Sequence, residues 1–417
     1  MRRLSDSAEA MREVLAFRNI RYARAQRFAP AEPLPFAGCV DKERRGPVPP
    51  QNPSRYEPLM GPMEPLVQSE DCQVLSVFTN GLTGRRPVMI WFHGGAFVTG
   101  GGELPWYDGT RLAAEQDIVV VSVTARLGAL GHLCLGDHDG GIGPSPATTD
   151  QLAAVEWVHR HVDQFGGDPD NITLFGQSAG GFAVEIMVRW GLGPHVKGAV
   201  IQSGFIKETG LVYTREDARR QAEAFESLIG RPPHSLTIPD MLAAQVAFAQ
   251  SMGAPLVWAP VRPDVEAPFG IPLLAGMTRH DNLPYVLMEQ GIAEPSPPHF
   301  DAFAAEVERR NDVDIAQQNR SLLEEAISHG ARGWEYEFCW DVPESGWGSP
   351  HCIELPFLLG DREAWQGARM LRGADWNLLD ARGRQLRAVW ASFARDHDPG
   401  RGWIAYDPAT KPINRIG

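Results

Sequence analysis

The 417-residue chain is predicted to adopt an α/β fold, in which helices cover both faces of a mostly parallel sheet. Two observations predict this class. Apolar runs rich in Val, Ile and aromatic residues recur along the chain, and helix-like segments separate them. Strands are expected at residues 87–93, 117–124, 171–176, 197–202, 272–276 and 334–340. Strands buried on both faces explain why these runs are almost continuously apolar.

The clearest helix is predicted from Thr149 to Phe165. Its apolar residues recur at steps of three and four, as in an amphipathic helix, and they are Leu152, Val155, Val158, Val162 and Phe165. Asp150 lies in the first turn, where a carboxylate interacts favourably with the helix dipole. The turn-forming residues 166–169 are expected to end the helix.

Two later segments, 215–252 and 299–329, are richer in charged and helix-forming residues. They predict helical insertions above the sheet, at about 205–270 and 283–332 of a single domain spanning 1–417. The proline-rich stretch from Gly46 to Pro65 predicts a long loop with restricted backbone freedom.

Composition indicates a soluble enzyme. The chain is 43% hydrophobic, enough for a large core, and its net charge of −13 argues against nucleic acid or anionic membranes as partners. The longest clear apolar run, Ile118 to Val121, is strand-sized, and residues 1–7 lack the apolar core of a signal peptide. The five cysteines show no metal-ligand spacing, which favours reduced thiols and a cytoplasmic location. No cofactor or metal is expected, and the oligomeric state is left open.

A strand, a sharp turn and a helix are predicted around Ser178. The pattern Gly176-Gln-Ser-Ala-Gly180 follows the apolar run 172–175 and precedes a helix-like stretch. Small residues let the chain turn tightly and lift a serine hydroxyl off the edge of the sheet. About eighty residues earlier, the strand at 87–93 ends in His93-Gly-Gly-Ala-Phe97. Such a segment offers backbone N–H groups to an oxyanion beside the serine, so the pair of motifs predicts a serine hydrolase.

Together with further segments, these motifs resemble the type-B carboxylesterases, the family that includes cholinesterases and para-nitrobenzyl esterases. The other segments that carry the resemblance are 17–23, 27–28, 69–72, 107–109, 126–131, 165–171, 390–394 and 398–399. The similarity runs nearly end to end, and the stretch from Gly166 to Gly181 is highly specific. It implies an α/β-hydrolase fold and hydrolysis of small-molecule carboxylic esters.

The resemblance also implies the partners of Ser178. Such hydrolases place nucleophile, acid and base in that order along the chain, each after a strand. The family acid aligns with Asp281, where most members have Glu, and the family base aligns with His351. His280 is a rival base, but neighbouring side chains on an extended loop point apart. Ser203 matches a supporting serine of the family, with the expected role of satisfying a buried hydrogen bond.

The same alignment places the oxyanion-binding N–H groups at Gly95, Ala96 and Ala179. Ala96 stands where most members have Gly, and its methyl group is expected to narrow the acyl side of the pocket. Substrate contacts are assigned to Gln177 and to five aromatic residues near site elements, for which core packing is an equal alternative: Phe97, Trp106, Phe205, Tyr285 and Phe357.

Three differences from the family pattern change which family properties are expected of this chain. Gln177 replaces the glutamate that usually precedes the nucleophile, which disfavours cationic esters and favours neutral, apolar ones. Pro49 aligns with the partner cysteine of Cys72, so the family's first disulfide cannot form. The chain is shorter than typical members in the regions that shape the pocket.

Three functions therefore remain open. The first is hydrolysis of carboxylic esters with an apolar acyl or alcohol group. The second uses the same three residues for acyl transfer, lactone opening or thioester cleavage in a biosynthetic pathway, because the fold does not fix the acyl acceptor. The third is a non-catalytic binding protein on the same scaffold.

Overall fold

The computed structural model describes residues 14–38, 44–135, 143–204, 214–253 and 257–417. Nine strands within these ranges form one sheet, and we number them in chain order. They are β1 Leu15–Arg21, β2 Val74–Thr79, β3 Arg86–Phe92, β4 Val119–Val123, β5 Gly167–Gln177, β6 Val196–Gln202, β7 Leu273–Thr278, β8 Gly333–Phe338 and β9 Ile413–Ile416. A separate antiparallel pair joins Ala23–Arg24 to Glu32–Pro33.

The strand order across the sheet is β1-β2-β4-β3-β5-β6-β7-β8-β9. Strands β1 and β2 pair antiparallel with their neighbours, whereas every pairing from β4 to β9 is parallel. This order confirms the predicted mostly parallel sheet. It also brings the carboxyl ends of β3, β5, β7 and β8 to one edge, where an α/β sheet positions its functional loops.

All six predicted strands are present, with small shifts at their ends. The largest shift is in β5, which begins at Gly167 rather than at 171, despite Pro169. Its register against β3 is irregular in this first part, between Arg86 and Val88, as expected for a strand end that includes proline. Strands β1, β2 and β9 were not predicted.

Helices surround the sheet in the described residues. The α-helices are Glu57–Met60, Thr110–Gln116, Gly128–His132, Pro146–His161, Ala179–Arg189, Arg215–Ile229, Ile238–Met252, Leu283–Glu289, Pro297–Arg310, Gln317–Ser328, Leu355–Leu358, Arg362–Trp365 and Trp376–Asp396. Shorter 3₁₀ turns are Pro105–Tyr107, Val162–Phe165, Pro233–Ser235, Pro343–Ser345 and Arg369–Leu371, and Asn311–Ala316 is a π-helix. Within the described ranges, none of these helices combines the length and apolar character needed to cross a membrane.

The helix predicted from Thr149 begins three residues earlier, at Pro146, and passes into a 3₁₀ turn after His161. Its Asp150 is fully buried rather than solvated at the helix end. The carboxylate accepts from the Arg126 guanidinium, at 2.7 Å from Nη2 and 2.9 Å from Nε. The expected dipole role is therefore secondary, because a buried carboxylate requires a paired, hydrogen-bonding cation.

The core lies on both faces of the sheet. Alternate residues of β3 point to opposite faces: Trp91 joins one apolar cluster with Trp334 and Trp390, whereas Val88 and Ile90 join another. The interior strands are thus covered on both sides, which holds their carboxyl ends rigidly for the loops that follow.

Candidate active site

Ser178 occupies the turn between β5 and the helix Ala179–Arg189. Its backbone has φ 57° and ψ −128°, a conformation that costs a non-glycine residue about 1–3 kcal/mol and is typical of functional turns. The glycines on either side are required by contact: a Cβ on Gly176 would lie 2.4 Å from the Gly180 carbonyl oxygen, and one on Gly180 would lie 2.0 Å from that of Phe92. The sharp turn predicted from the sequence is therefore present, and its backbone is strained at Ser178.

Asp281 and His351 meet beyond the carboxyl ends of β7 and β8. His351 Nδ1 lies 2.6 Å from Asp281 Oδ1, and both side chains are almost completely buried. The other oxygen, Oδ2, accepts from Ser203 Oγ at 2.5 Å and from the backbone N–H and hydroxyl of Thr278, each at 3.0 Å. Four donors thus fix the carboxylate, and the supporting contact expected for Ser203 is made to Asp281.

The buried pair shifts both pKa values. Burial opposes ionisation of Asp281, but the charge and hydrogen bond of His351, together with Ser203 and Thr278, hold the pKa of the carboxyl below its usual value. Burial also opposes a charge on His351, yet its acidic neighbours, with the charge and hydrogen bond of Asp281 among them, raise the pKa of the imidazole well above its usual value. Because burial raises the pKa of Cys352 and of Tyr285 themselves, Asp281 is the partner ionised near neutral pH.

Ser178 and His351 line one narrow cavity of about 30 Å³. The Gln177 side-chain amide donates to His351 Nε2 at 3.1 Å, and the Cys352 thiol lies 3.5 Å from the Gln177 side-chain oxygen. With Nδ1–H donated to Asp281, Nε2 is left as an acceptor. In its neutral form the imidazole is therefore held in the tautomer that leaves Nε2 able to accept a proton.

The loop after β3 supplies free backbone donors beside this cavity. Gly95, Ala96 and Phe97 all have positive φ, at 111°, 55° and 60°. A Cβ on Gly95 would lie 2.0 Å from the Thr99 carbonyl oxygen, so glycine is needed there. In the described part of the chain, the N–H groups of Gly95, Ala96 and Ala179 donate to no other protein group. Ala179 begins a helix, where such N–H groups have no intrahelical acceptor.

Two neighbours hold that loop in place. Burial lowers the pKa of His93 to about 4, so the ring is neutral, and its Nδ1 lies 2.7 Å from the Gly94 carbonyl oxygen. Gln51, from the proline-rich segment, makes two hydrogen bonds to the backbone of Gly100, at 2.6 and 2.8 Å. The segment predicted as a stiff loop therefore anchors the glycine-rich run.

A larger cavity of about 420 Å³ adjoins the narrow one. The two share Ser54, Tyr56, Gly95, Ala96 and Thr99 in their walls. The far wall of the larger cavity is formed by Trp258 and by the helix Ile238–Met252, through Gln245, Val246, Ala249 and Gln250. This helix falls within the first predicted insertion, and it lies against the side of the site where the predicted oxyanion donors are.

The predicted substrate contacts divide into two groups. Trp106, Gln177 and Tyr285 line the narrow cavity. Phe97 instead packs against Phe182 and His132, since its positive φ turns the ring into the core beneath the loop. Phe357 packs against Phe338 and Trp340, away from both cavities. Phe205 lies outside the described residues.

The rival base His280 faces away from the cavity. Its Nδ1 accepts from the Ser349 N–H at 2.9 Å, and its ring packs edge-on against Phe300 at 4.3 Å. Burial lowers the pKa of this imidazole to about 4. His280 therefore organises the loop that carries His351.

Several cavity residues were not found by sequence reasoning. Tyr56, Met60 and Met63 come from the proline-rich loop, and Cys352 follows the predicted base. The Tyr56 and Tyr285 rings lie 5.8 and 5.6 Å from the His351 ring. The loop carries no local motif that would reveal which side chains reach the site. Within the described residues, no group of three or more His, Cys, Asp or Glu side chains could hold a metal ion.

Comparison with known proteins identifies similar sequences and structures. The sequence model of the carboxylesterase family matches residues 3–244. A protein of Rhodococcus erythropolis described as a probable N-octanoylanthranilate hydrolase is 34% identical, over 96% of this chain and 93% of its own length. The para-nitrobenzyl esterase of Bacillus subtilis is 28% identical over 82% of this chain and 78% of its length.

Solved structures are similar over almost the whole chain. A para-nitrobenzyl esterase structure superimposes with a TM-score of 0.83 at 26% identity, covering 97% of this chain and 92% of that one. A carboxylesterase of Geobacillus stearothermophilus gives a TM-score of 0.78, also at 26% identity, and covers 97% and 93% of the two chains.

Proposed function

Because the chain belongs to the carboxylesterase family of ester-hydrolysing enzymes, we propose that it cleaves carboxylic esters through an acyl-enzyme on Ser178. His351 acts as the general base, and Asp281 orients it. One observation carries the proposal. His351 is hydrogen-bonded to Asp281, and it lines the same cavity as Ser178, which lies in a strained turn.

The proposed reaction follows from the positions of the protons. Asp281 accepts the Nδ1–H of His351, so Nε2 is free of a proton and can take the one on Ser178 as its oxygen attacks the ester carbonyl. For this transfer the Ser178 hydroxyl must replace the Gln177 amide as the donor to Nε2. His351 then returns the proton to the leaving alcohol, and water repeats the sequence to release the acid.

The oxyanion of each tetrahedral intermediate is assigned to the N–H groups of Gly95, Ala96 and Ala179. Support comes from their lack of other acceptors in the described residues and from the contacts that fix the loop. A fixed donor of this kind typically contributes about 3 kcal/mol to transition-state stabilisation.

An apolar acyl or alcohol group is proposed to occupy the larger cavity. Its wall is mostly apolar, with Pro53, Val98, Val246, Ala249 and Trp258 among its residues. A relative named for an octanoyl compound supports a chain of medium length. The same name supports a second candidate activity, cleavage of an N-acyl arylamine, which uses the same residues because amide and ester hydrolysis share a tetrahedral intermediate.

The test is hydrolysis of p-nitrophenyl butanoate, octanoate and hexadecanoate, with octanoyl anilide as the amide probe. We expect wild type to cleave the esters and Ser178→Ala to lose more than about 10³-fold in kcat, because the nucleophile and its partners act as a unit. Ser328→Ala, on the exposed end of the helix Gln317–Ser328, is the matched control and should behave as wild type. More than a few per cent of wild-type turnover in Ser178→Ala would overturn the proposal.

A further inference from the structure

The mouth of the site, which the proline-rich loop and the helix Ile238–Met252 form around the larger cavity, carries an unexpected positive charge. Among the described residues that line the two adjoining cavities, Arg55 is the one with a permanent charge. The chain as a whole has a net charge of −13. The positive charge at the mouth is therefore opposite in sign to the net charge of the chain, which indicates a specific role for Arg55.

Arg55 is held by aromatic rings rather than by a carboxylate. Its guanidinium carbon lies 5.8 Å from the centre of the Tyr56 ring and 5.6 Å from that of Tyr285. The Tyr56 and Tyr285 rings also contact each other and the His351 ring. The arginine thus caps an aromatic group that ends at the proposed base, with its side chain exposed at the cavity.

Within the described part of the chain, Arg55 has no hydrogen bond or ion pair to a side chain or backbone group. Buried arginines elsewhere in the fold do have such partners. Arg126, for example, pairs with Asp150, and Arg387 pairs with Glu115. A guanidinium has five N–H donors in a planar fork that matches a carboxylate. Those of Arg55 are available to a ligand.

The two buried acids close to His351 form no ion pair with this cation. Asp281 is buried behind His351 and accepts four hydrogen bonds, including that of the imidazole. Glu354 is also buried, and burial, followed by the neighbouring Asp281 charge, raises its pKa to about 7. Neither side chain lines either of the two cavities, so the permanent charge that a ligand meets in their described walls is that of Arg55.

We propose that Arg55 forms an anion subsite, and that the physiological substrate is an apolar ester carrying a carboxylate away from the reacting carbonyl. The proposal rests on the ester hydrolysis assigned to Ser178 and adds its substrate class. The apolar body occupies the cavity of about 420 Å³, and the carboxylate remains at its mouth against Arg55. The sequence predicted neutral substrates from Gln177; Arg55 instead indicates a preference for anions.

Aromatic contacts make this arginine better suited to binding than a mobile surface lysine. The two tyrosines restrict the guanidinium, which reduces the entropy lost on pairing, and the apolar wall reduces the screening of the pair by water. Fully exposed ion pairs are weak, and partly desolvated charge-assisted pairs are stronger, so we expect a preference of about five- to tenfold for the anionic substrate.

The experiment compares esters that differ only in charge, in two arms that locate the carboxylate. In one arm the alcohol carries it: 3-(octanoyloxy)benzoate against 3-(octanoyloxy)benzamide. In the other arm the acyl group carries it: the monophenyl ester of adipic acid against its terminal amide. The quantity measured is the ratio of kcat/KM for the anionic and neutral members of each pair, in wild type and variants.

In at least one arm, Arg55→Gln should lower this ratio about five- to tenfold, whereas Arg55→Lys should retain part of it because the charge remains. Raising the salt concentration should lower the ratio in wild type but not in Arg55→Gln, a response that a purely structural role would not produce. Arg384→Gln, on the exposed face of the helix Trp376–Asp396, controls for net charge and should leave the ratio unchanged.

Ratios that are equal in wild type and Arg55→Gln in both arms would overturn the anion subsite, while continued Ser178-dependent hydrolysis would leave the proposed ester hydrolysis standing. Failure of wild type to cleave any of the four esters or the p-nitrophenyl series would overturn the proposed function, and the subsite with it.

Discussion

The floor and the mouth of the site are built in different ways. The floor consists of Ser178, Asp281 and His351, which follow β5, β7 and β8 and are at most 4% exposed. The mouth consists of the proline-rich loop and the helix Ile238–Met252, with Arg55 and Val246 exposed. The sheet thus fixes the reacting groups, whereas loops and inserted helices shape what can reach them.

This contrast separates two kinds of mutational effect. A change on the floor removes interactions that are made only in the transition state, so it lowers kcat. A change at the mouth alters contacts with parts of the substrate that do not react, so it alters the ratio between substrates.

The largest effect should come from the floor. Asp281→Asn is expected to lower kcat by about 10³- to 10⁴-fold. The three donors on Oδ2 would hold the Asn oxygen, leaving its NH₂ facing His351 Nδ1 and forcing the wrong imidazole tautomer. Ser203→Ala removes one of those donors and should cost less, about ten- to a hundredfold, the usual contribution of one hydrogen bond to a charged group. The kcat of both variants is measured from p-nitrophenol release on a p-nitrophenyl ester, and circular dichroism checks that each variant is folded. A loss of less than tenfold in Asp281→Asn would contradict the assigned role.

The pH dependence tests the electrostatics of the floor. Only neutral His351 can accept the Ser178 proton, and its pKa is raised above the usual value of 6.5. The logarithm of kcat/KM should therefore rise with pH and level off only above a midpoint higher than 6.5. In Asp281→Asn the residual activity should reach its plateau at lower pH, because burial without the carboxylate lowers the imidazole pKa. A wild-type midpoint below 6, with chemistry rate-limiting, would mean that the pair does not control the reaction.

The uncharged side chain of Gln177, beside the floor of the site, affects the preference between cationic and neutral esters. It is 1% exposed and lies 3.1 Å from His351 Nε2, where the family usually has glutamate. Wild type should therefore not favour a choline ester over its uncharged 3,3-dimethylbutyl isostere. Gln177→Glu should shift kcat/KM towards the cation by a factor of about five, corresponding to about 1 kcal/mol from a charge several ångströms from the bound cation. Gln177→Leu is the uncharged control. A wild-type preference of tenfold or more for choline would indicate another anion or an aromatic cage.

The sequence predicted the floor better than the mouth. Most strands from β3 to β8 contain a recognisable apolar run, so their positions are visible locally, and the loops that follow β5, β7 and β8 carry Ser178, Asp281 and His351. Strand β2 is also buried inside the sheet, and it was missed. The edge strands β1 and β9 were missed because half-exposed strands carry a weaker apolar pattern. The mouth depends on contacts between segments far apart in the chain, such as Tyr56 with Tyr285, and no local pattern encodes those.

The aromatic assignments show the same limit. Phe97 and Phe357 lie next to motif residues in the sequence, yet the positive φ of Phe97 and the packing of Phe357 on Phe338 direct both rings into the core. Proximity along the chain identified Trp106 and Tyr285 as well, and both line the cavity. Side-chain direction, which backbone dihedrals set, decides between the two outcomes.

The central claim is that Ser178 is a nucleophile activated by His351, and covalent trapping tests it most directly. Wild type, Ser178→Ala and His351→Ala are treated with an ethoxy fluorophosphonate, and the adduct is counted by intact mass and located by peptide mapping. We predict one adduct per chain on Ser178 in wild type, none in Ser178→Ala, and labelling slowed by at least about 10²-fold in His351→Ala, since general-base assistance is typically of that size or more. An adduct at another residue, or none on an enzyme that hydrolyses esters, would contradict the account.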